Sequence, residues 1–114
     1  IIDAALKNRI IEFESGSAIL ATSGIQILDE MVSALNKVSG KKIRIIGHTD
    51  SSGDINKNLM LSQQRAEAVK SYLIAKNVPT HLLSTKGSGS SKPVADNATA
   101  DGRKRNRRIE FEVL

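Results

Sequence analysis

The spacing of apolar residues predicts a first helix in the early part of the chain. Five apolar residues beyond about Ser23 recur at steps of one, three, one and three, and they are Ile27, Leu28, Met31, Val32 and Leu35. Residues with this spacing share one face of an α-helix. Thr22 or Ser23 can cap the start of this helix, and Gly40 lies where a glycine commonly ends one.

A second and longer helix is predicted from about Asn56 to Lys76. Four apolar residues share one side of it, namely Leu61, Ala68, Val69 and Leu73. Asn77 can adopt the left-handed conformation that ends a helix, and Pro79 prevents its continuation.

Short β-branched or alternating runs predict four strands. The first is "RIIEF", Arg9 to Phe13. The second is "KIRII", whose Ile43 and Ile45 lie on the opposite face from its basic residues. The third is a short strand from Leu83 to Lys86, and the last is "RIEFEV", where apolar residues alternate with glutamates.

The predicted order is β-α-β-α-β-β, which indicates an α+β fold. Two main helices packed on one face of a small mixed sheet would bury the apolar stripes of all these elements. Between the third and fourth strands lies "GSGSSKPVADNATADGRKRN", residues 87–106, which we expect to be a long loop. Loops of this length in compact domains are usually functional or firmly held in place.

Length and composition limit the class of protein. The 114 residues suffice for one domain with a modest core, and the 39% of hydrophobic residues is ordinary for a soluble protein. No apolar run reaches the roughly 18 residues that span a bilayer. There is no cysteine, which removes disulfides and thiolate chemistry without indicating a compartment.

The charge is concentrated near the C-terminus. The formal net charge is +5, and five of the basic residues crowd into "GRKRNRR", residues 102–108. Such a patch suggests an anionic partner. Nucleic acid is not expected, because only 3% of the residues are aromatic and no stacking platform is evident. The alternative is that Arg103, Asn106 and Arg107 hold the long loop by hydrogen bonds while Lys104 and Arg105 are solvated.

The turn "GHTDSSG", residues 47–53, brings His48, Thr49 and Asp50 together after the second strand. Catalysis is disfavoured because no serine near it carries a recognisable nucleophile motif. A metal site is disfavoured because the other histidine, His81, is remote in sequence and no ligand spacing is present. For His48 we expect a strand-end side chain hydrogen-bonded to backbone. For Asp50 alone, an Asx-turn is the simplest interpretation. No cofactor is expected.

The second helix changes the interpretation of Asp50. Asn58, Ser62 and Arg65 are spaced four and three residues apart, so they form a polar stripe beside the apolar one. Arg65 is thereby placed at the boundary between core and surface. A boundary arginine needs an anionic partner, and Asp50 at the end of the adjacent strand is the obvious candidate.

These motifs carry a resemblance to a known family. "IRIIGHTDSSGDINKNLMLSQQRAEAVKSYL" followed by "GSGSSKPVADNATADGRKRNRRIEFEV" resembles the OmpA-like C-terminal domain shared by OmpA, Pal and MotB type proteins. The resemblance covers about residues 10–113. Residues 10–114 are therefore interpreted as one OmpA-like domain, and residues 1–9 as a linker or the end of a preceding domain.

The resemblance implies binding of peptidoglycan without cleavage. Family members recognise the stem peptide, and in Gram-negative walls the key group is the free end of meso-diaminopimelate, which bears an ammonium and a carboxylate. By motif position Asp50 would take the ammonium, Arg65 the carboxylate, and Asn58 would add a hydrogen bond. Arg107 and Gly16 correspond to positions close to that site.

The resemblance also sets expectations for the cellular context. The chain would be the periplasmic, soluble part of an outer-membrane or envelope-anchored protein, tethered to the wall and touching a membrane only through other parts of its parent. Two further hypotheses remain open. One is a protein interaction or dimerisation module, including a weak homodimer, and the other is a wall hydrolase, which the absence of a nucleophile motif or ligand cluster disfavours.

Overall fold

The computed structural model describes residues 11, 13, 17–36 and 42–113. Its helices and strands, labelled in chain order, are α1 (Thr22–Asn36), β1 (Ile43–His48), α2 (Ile55–Ala75), β2 (Leu83–Gly89), α3 (Ala100–Asn106) and β3 (Ile109–Val113), with a 3-10 turn at Thr80–Leu82 before β2. None of the helices in these ranges is both long and apolar enough to cross a membrane.

The sheet is mixed, with β1 in the centre. Strand β2 pairs with β1 in parallel, and β3 pairs with β1 in antiparallel orientation, so the order is β2-β1-β3. Ile45 lies opposite Thr85 on one side and Phe111 on the other. The prediction of an α+β fold built on a small mixed sheet is confirmed.

The core lies between the helices and one face of the sheet. Ile45 is fully buried on that face, whereas Arg44 points to the other face and pairs with Glu112 at 3.0 Å. Both main helices contribute to the same cluster, as the sequence pattern indicated. The buried apolar residues are Ile11, Leu28, Met31, Ile43, Ile45, Ala66, Val69, Leu73, Val78, Leu83 and Ile109.

The predicted first strand, Arg9 to Phe13, lies largely outside the described residues. Of its members, Ile11 belongs to the core, and Phe13 forms an isolated antiparallel bridge with Leu20. Gly40, the expected end of α1, also lies outside the described residues.

The interpretation of residues 87–106 as one long loop was wrong at both ends. Strand β2 continues to Gly89, three residues beyond the predicted end at Lys86, and α3 occupies Ala100–Asn106. Thr99 caps α3 by accepting a hydrogen bond from the Gly102 N–H at 2.9 Å. A glycine and a run of charges give a seven-residue helix no apolar periodicity, so the pattern could not reveal it.

Close contact between α2 and the sheet depends on two glycines. A Cβ atom on Gly47 would lie 2.1 Å from the backbone oxygen of Ser62, and one on Gly87 would lie 2.7 Å from the backbone nitrogen of Gln63. Because these neighbours are helix backbone, they cannot turn aside as a side chain would. Glycine at these positions therefore sets how closely α2 approaches β1 and β2.

We predict that Gly47→Ala destabilises the domain by about 1–3 kcal/mol or more, because α2 must move away from the sheet. Urea denaturation followed by circular dichroism measures the change. The matched control is Ser84→Ala, an exposed position on the neighbouring strand, which should change stability little. Equal stability of Gly47→Ala and the parent protein would contradict the close approach described here.

Candidate ligand-binding site at the end of the central strand

The turn after β1 is held by hydrogen bonds from both sides. The Thr49 N–H donates to the Gly89 carbonyl at 2.8 Å, and the Thr49 hydroxyl donates to the Asp50 carbonyl at 2.9 Å. The Asp50 carboxylate accepts the Ser52 N–H at Oδ1, at 2.8 Å. This last bond is the Asx-turn that the sequence suggested. Asp50 is only 7% exposed, so its carboxylate has little freedom to move.

The start of α2 supports the same turn. Asp54 caps the helix and accepts hydrogen bonds from Asn56 N–H at 2.7 Å and Lys57 N–H at 3.1 Å. Asn58, one turn into the helix, donates its side-chain amide to the carbonyls of Ser52 at 2.8 Å and Asp50 at 3.4 Å. The structure thus gives Asn58 a second role beside the ligand contact predicted from the resemblance, because it ties the helix to the turn.

Arg107 supplies the counter-ion of Asp50. Its Nη1 atom lies 2.5 Å from Asp50 Oδ2, and the residue follows directly after α3. Burial tends to raise the pKa of the Asp50 carboxyl, but the Ser52 hydrogen bonds and the Arg107 ion pair outweigh it and hold the pKa below its ordinary value. Asp50 is therefore an anion at neutral pH.

Arg65 lies in the third turn of α2 and is 6% exposed. Its Nε donates to the Ser17 carbonyl at 2.9 Å, and its guanidinium lies over the Phe13 ring, 5.0 Å from the centroid. Burial and the neighbouring Arg107 lower the pKa of Arg65, while Asp50 raises it. An arginine stays protonated in proteins, so the site keeps this second cation.

The direct ion pair between Asp50 and Arg65 that the sequence suggested is not formed. Asp50 is paired with Arg107, and the partners of Arg65 among the described residues are a backbone carbonyl and an aromatic face. The sequence pattern could not indicate these partners of Arg65, because they are distant in sequence and neutral. Among the described residues, the resulting group is one carboxylate beside two guanidiniums.

The segment before α3 is fixed to the site by asparagines. Asn106 is fully buried, and its side-chain oxygen accepts the Val94 and Ala95 N–H groups at 2.7 and 3.0 Å. Its amide donates to Asn97 Oδ1 at 2.8 Å, and that oxygen also accepts the Ser51 N–H at 3.3 Å. These bonds confirm that Asn106 holds the loop and extend the connection to the turn that carries Asp50.

Three arginines of the basic stretch differ in what they contact. Arg103 holds the loop as expected, because its Nη1 donates to the Asn97 carbonyl at 3.0 Å. Arg107, expected to do the same, binds Asp50 instead. Arg105 is exposed and pairs with Asp101 at 3.1 Å.

Sequence reasoning missed the contribution of Ser17 and Phe13, and it gave Ser62 no definite role. The buried Ser62 hydroxyl donates to the Leu59 carbonyl and accepts the Gly89 N–H at 2.9 Å, which fastens α2 to the end of β2. One feature of the sequence could have drawn attention to Phe13: it is one of only two phenylalanines in the chain. Arg65 contacts the backbone carbonyl of Ser17, and a backbone contact of this kind cannot be predicted from a sequence pattern. Gly16, the remaining predicted site residue, lies outside the described residues.

His48 occupies a buried position behind the turn. Its Nε2 lies 2.5 Å from Glu110 Oε1, and Nδ1 has no hydrogen-bond partner among the described residues. The expectation that the His48 side chain is hydrogen-bonded to backbone was wrong among the described residues. It is the main-chain N–H of His48 that donates to a backbone carbonyl, that of Arg108. Burial lowers the pKa of His48, Arg108 acts in the same direction, and Glu110 opposes both.

Within the described ranges, no three acidic or histidine side chains cluster as metal ligands would.

The chain is similar to known proteins in sequence and in fold. The chain matches the OmpA family model over residues 12–107, and it belongs to the OmpA family. It is 37% identical over 102 residues to outer membrane protein A of Bordetella avium, covering 90% of this chain and 53% of that protein. It is 38% identical to the peptidoglycan-binding protein ArfA of Mycobacterium bovis, covering 90% of this chain and 32% of that protein.

A solved structure shows the same architecture. The peptidoglycan-associated lipoprotein of Burkholderia pseudomallei superposes with a TM-score of 0.86 at 28% identity, covering 96% of this chain and 93% of that one. The expected family and fold are therefore confirmed. The chain spans about half or less of the length of the two relatives described above, at 53% and 32%.

We predict that His48 makes the stability of the domain depend on pH. Because the folded state lowers the pKa of His48, the unfolded chain binds a proton first as the pH falls below about 6.5. The contribution of neutral His48 is thus complete above that pH and is lost on acidification. Chemical denaturation at pH values from about 7.5 to 5 should show this decline, and His48→Gln should flatten it.

The exposed His81 offers a matched control for this measurement. His81→Gln should leave the decline between about pH 7.5 and 5 in place. If His81→Gln and His48→Gln flatten the curve equally, burial of His48 is not its cause.

Proposed function

We propose that this domain binds peptidoglycan non-covalently through the free end of diaminopimelate in the stem peptide, and so tethers its parent protein to the cell wall. One observation carries the proposal: a buried, ionised Asp50 lies in a rigid turn beside the guanidiniums of Arg65 and Arg107. An ammonium and a carboxylate on one carbon require an anion and a cation held a few ångströms apart.

Each charge suits its part of the ligand. The Asp50 carboxylate receives the ligand ammonium, and Arg65 receives the ligand carboxylate through its planar fork, which matches two oxygens at once. Nε of Arg65 already donates to the Ser17 carbonyl, so the two terminal nitrogens would bind the ligand carboxylate. Asn58 keeps the turn in place and lies close enough to add a hydrogen bond.

The site is organised before the ligand arrives. The Asx-turn orients Asp50, the Phe13 ring and Ser17 carbonyl orient Arg65, and both residues are at least nine-tenths buried. A site already ordered loses little conformational entropy on binding, which favours affinity.

The names of the relatives support the ligand. ArfA is described as peptidoglycan-binding and the Burkholderia protein as peptidoglycan-associated. A periplasmic position, in a parent held at the outer membrane or elsewhere in the envelope, follows for a domain that binds the wall. The domain acts by binding alone, without cleaving a bond and without a cofactor.

A second candidate function is self-association through the start of α2. Three apolar side chains there are exposed, with fractions of 75% for Ile55, 48% for Leu59 and 63% for Met60. Exposed apolar groups in proximity are typical of contact surfaces. Sedimentation at increasing protein concentration, compared with Met60→Glu, tests whether they support a weak homodimer.

We predict that Asp50→Asn and Arg65→Lys each weaken binding to purified sacculi by roughly tenfold to a hundredfold, because each loses a charged hydrogen bond worth about 1.5–3 kcal/mol. Both changes are conservative, since asparagine preserves the Asx-turn acceptor and lysine preserves the positive charge. Co-sedimentation with sacculi over a range of protein concentrations measures the loss.

Matched controls come from an exposed ion pair on α3. Asp101→Asn and Arg105→Lys repeat the same chemical changes at side chains that are 74% and 64% exposed, and they should bind as the parent does. If the Asp50 and Arg65 variants remain folded and sediment like these controls, the site assignment is wrong.

Incubation with sacculi also separates binding from hydrolysis. We expect the protein to accumulate on the sacculi while no muropeptides appear in the supernatant. Chromatographic analysis of the supernatant provides the measurement. Steady release of muropeptides that depends on intact protein would establish a hydrolase instead.

A further inference from the structure

Both oxygens of the Asp50 carboxylate are already occupied in the free protein. Oδ1 accepts the Ser52 N–H at 2.8 Å, and Oδ2 lies 2.5 Å from Arg107 Nη1. The Ser52 bond shapes the turn and is independent of any ligand. The Arg107 contact is different, because it places a cation of the protein where a ligand ammonium is expected to bind.

Arg107 is held less firmly than the carboxylate it contacts. Its side chain is 43% exposed, whereas that of Asp50 is 10% exposed. Among the described residues, Asp50 is the hydrogen-bond partner of its guanidinium. Its backbone N–H bonds the Arg103 carbonyl and ends α3, so the main chain is fixed while the outer part of the side chain can reorient.

We infer that Arg107 determines specificity, as a resident counter-ion of Asp50 that disfavours ligands bearing an ammonium alone and favours ligands bearing an adjacent carboxylate as well. This inference rests on the proposed function. In the proposed function, Arg65 recognises the ligand carboxylate. The inference adds that Arg107 disfavours a side chain that ends in an ammonium alone, as lysine does.

The balance of charge explains the selectivity. Asp50, Arg65 and Arg107 together carry one negative and two positive charges. A lone ammonium raises this excess of positive charge, and it must either displace Arg107 from Asp50 or crowd beside it. Like charges in a partly buried site repel strongly, so either outcome opposes binding.

An ammonium with an adjacent carboxylate avoids this cost. When its ammonium binds Asp50, its carboxylate is brought to the same place and becomes a new partner for Arg107 and Arg65. Arg107 then exchanges one carboxylate for another, and the net charge of the site is unchanged. The same cation thus opposes one class of ligand and assists the other.

The test uses two stem peptides that differ only in the third residue, which is meso-diaminopimelate in one and lysine in the other. Isothermal titration calorimetry gives the ratio of their dissociation constants for the parent protein and for Arg107→Gln. We expect Arg107→Gln to bind the diaminopimelate peptide more weakly and the lysine peptide more tightly, so that the ratio falls by at least about tenfold.

Arg105→Gln is the matched control, because it removes the same charge two residues away from an exposed pair with Asp101. The ratio for this variant should equal that of the parent. An unchanged ratio in Arg107→Gln, or equal weakening toward both peptides, would overturn the inference and leave Arg107 a structural residue.

A second measurement needs no variant. In the parent protein, the NMR signal of the Arg107 Nε–Hε group should shift when the diaminopimelate peptide is added, since the guanidinium changes partner. If the peptide binds and that signal stays in place, the inference is wrong while the proposed function stands. If the parent protein binds neither peptide, the proposed function itself fails.

Discussion

A buried carboxylate at the end of the central strand is the charge around which this domain is arranged. Asp50 is removed from solvent and could not remain ionised there without donors to its oxygens. A turn N–H supplies one donor and the guanidinium of Arg107 supplies the other. The turn, the start of α2 and the end of α3 therefore meet at this point. The turn and the residue after α3 keep Asp50 charged, and Asn58 of α2 holds the turn through its backbone carbonyls.

The packing of α2 makes that meeting possible. Glycines in β1 and β2 let the backbone of the helix approach the sheet closely, and the Ser62 hydroxyl bonds the Gly89 N–H across the interface. The same helix carries Asn58 and Arg65, so its position relative to β1 sets the separation of Asp50 and Arg65. A rigid contact between helix and sheet is thus also what gives the site its geometry, because side chains on packed elements are held more precisely than side chains on loops.

Arg65 and Arg107 show two ways in which a protein keeps a cation near a carboxylate. Arg65 is buried, and among the described residues it is held by neutral partners, a carbonyl and an aromatic ring. Arg107 is half-exposed and neutralised by Asp50 itself. In the binding mode proposed above, the first arrangement receives the negative charge of a ligand, and the second determines which positive charge Asp50 accepts. Together they would suit a zwitterionic group better than a simple amine.

The sequence by itself determined the main helices, the mixed sheet and core residues such as Ile45, Val69 and Leu73. These follow from periodicity, which acts over a few residues and leaves a visible pattern. Turn chemistry and motif spacing indicated Asp50 and Arg65 as candidate site residues, and the family resemblance added Arg107. The sequence pattern did not predict helix α3, because its residues show no apolar periodicity. Only the tertiary structure decided which cation pairs with Asp50, since Arg107 is 57 residues away and Arg65 only fifteen. Proximity in space depends on how α2 and α3 pack against the strand, and neutral partners such as the Ser17 carbonyl can satisfy an arginine without any trace in the sequence.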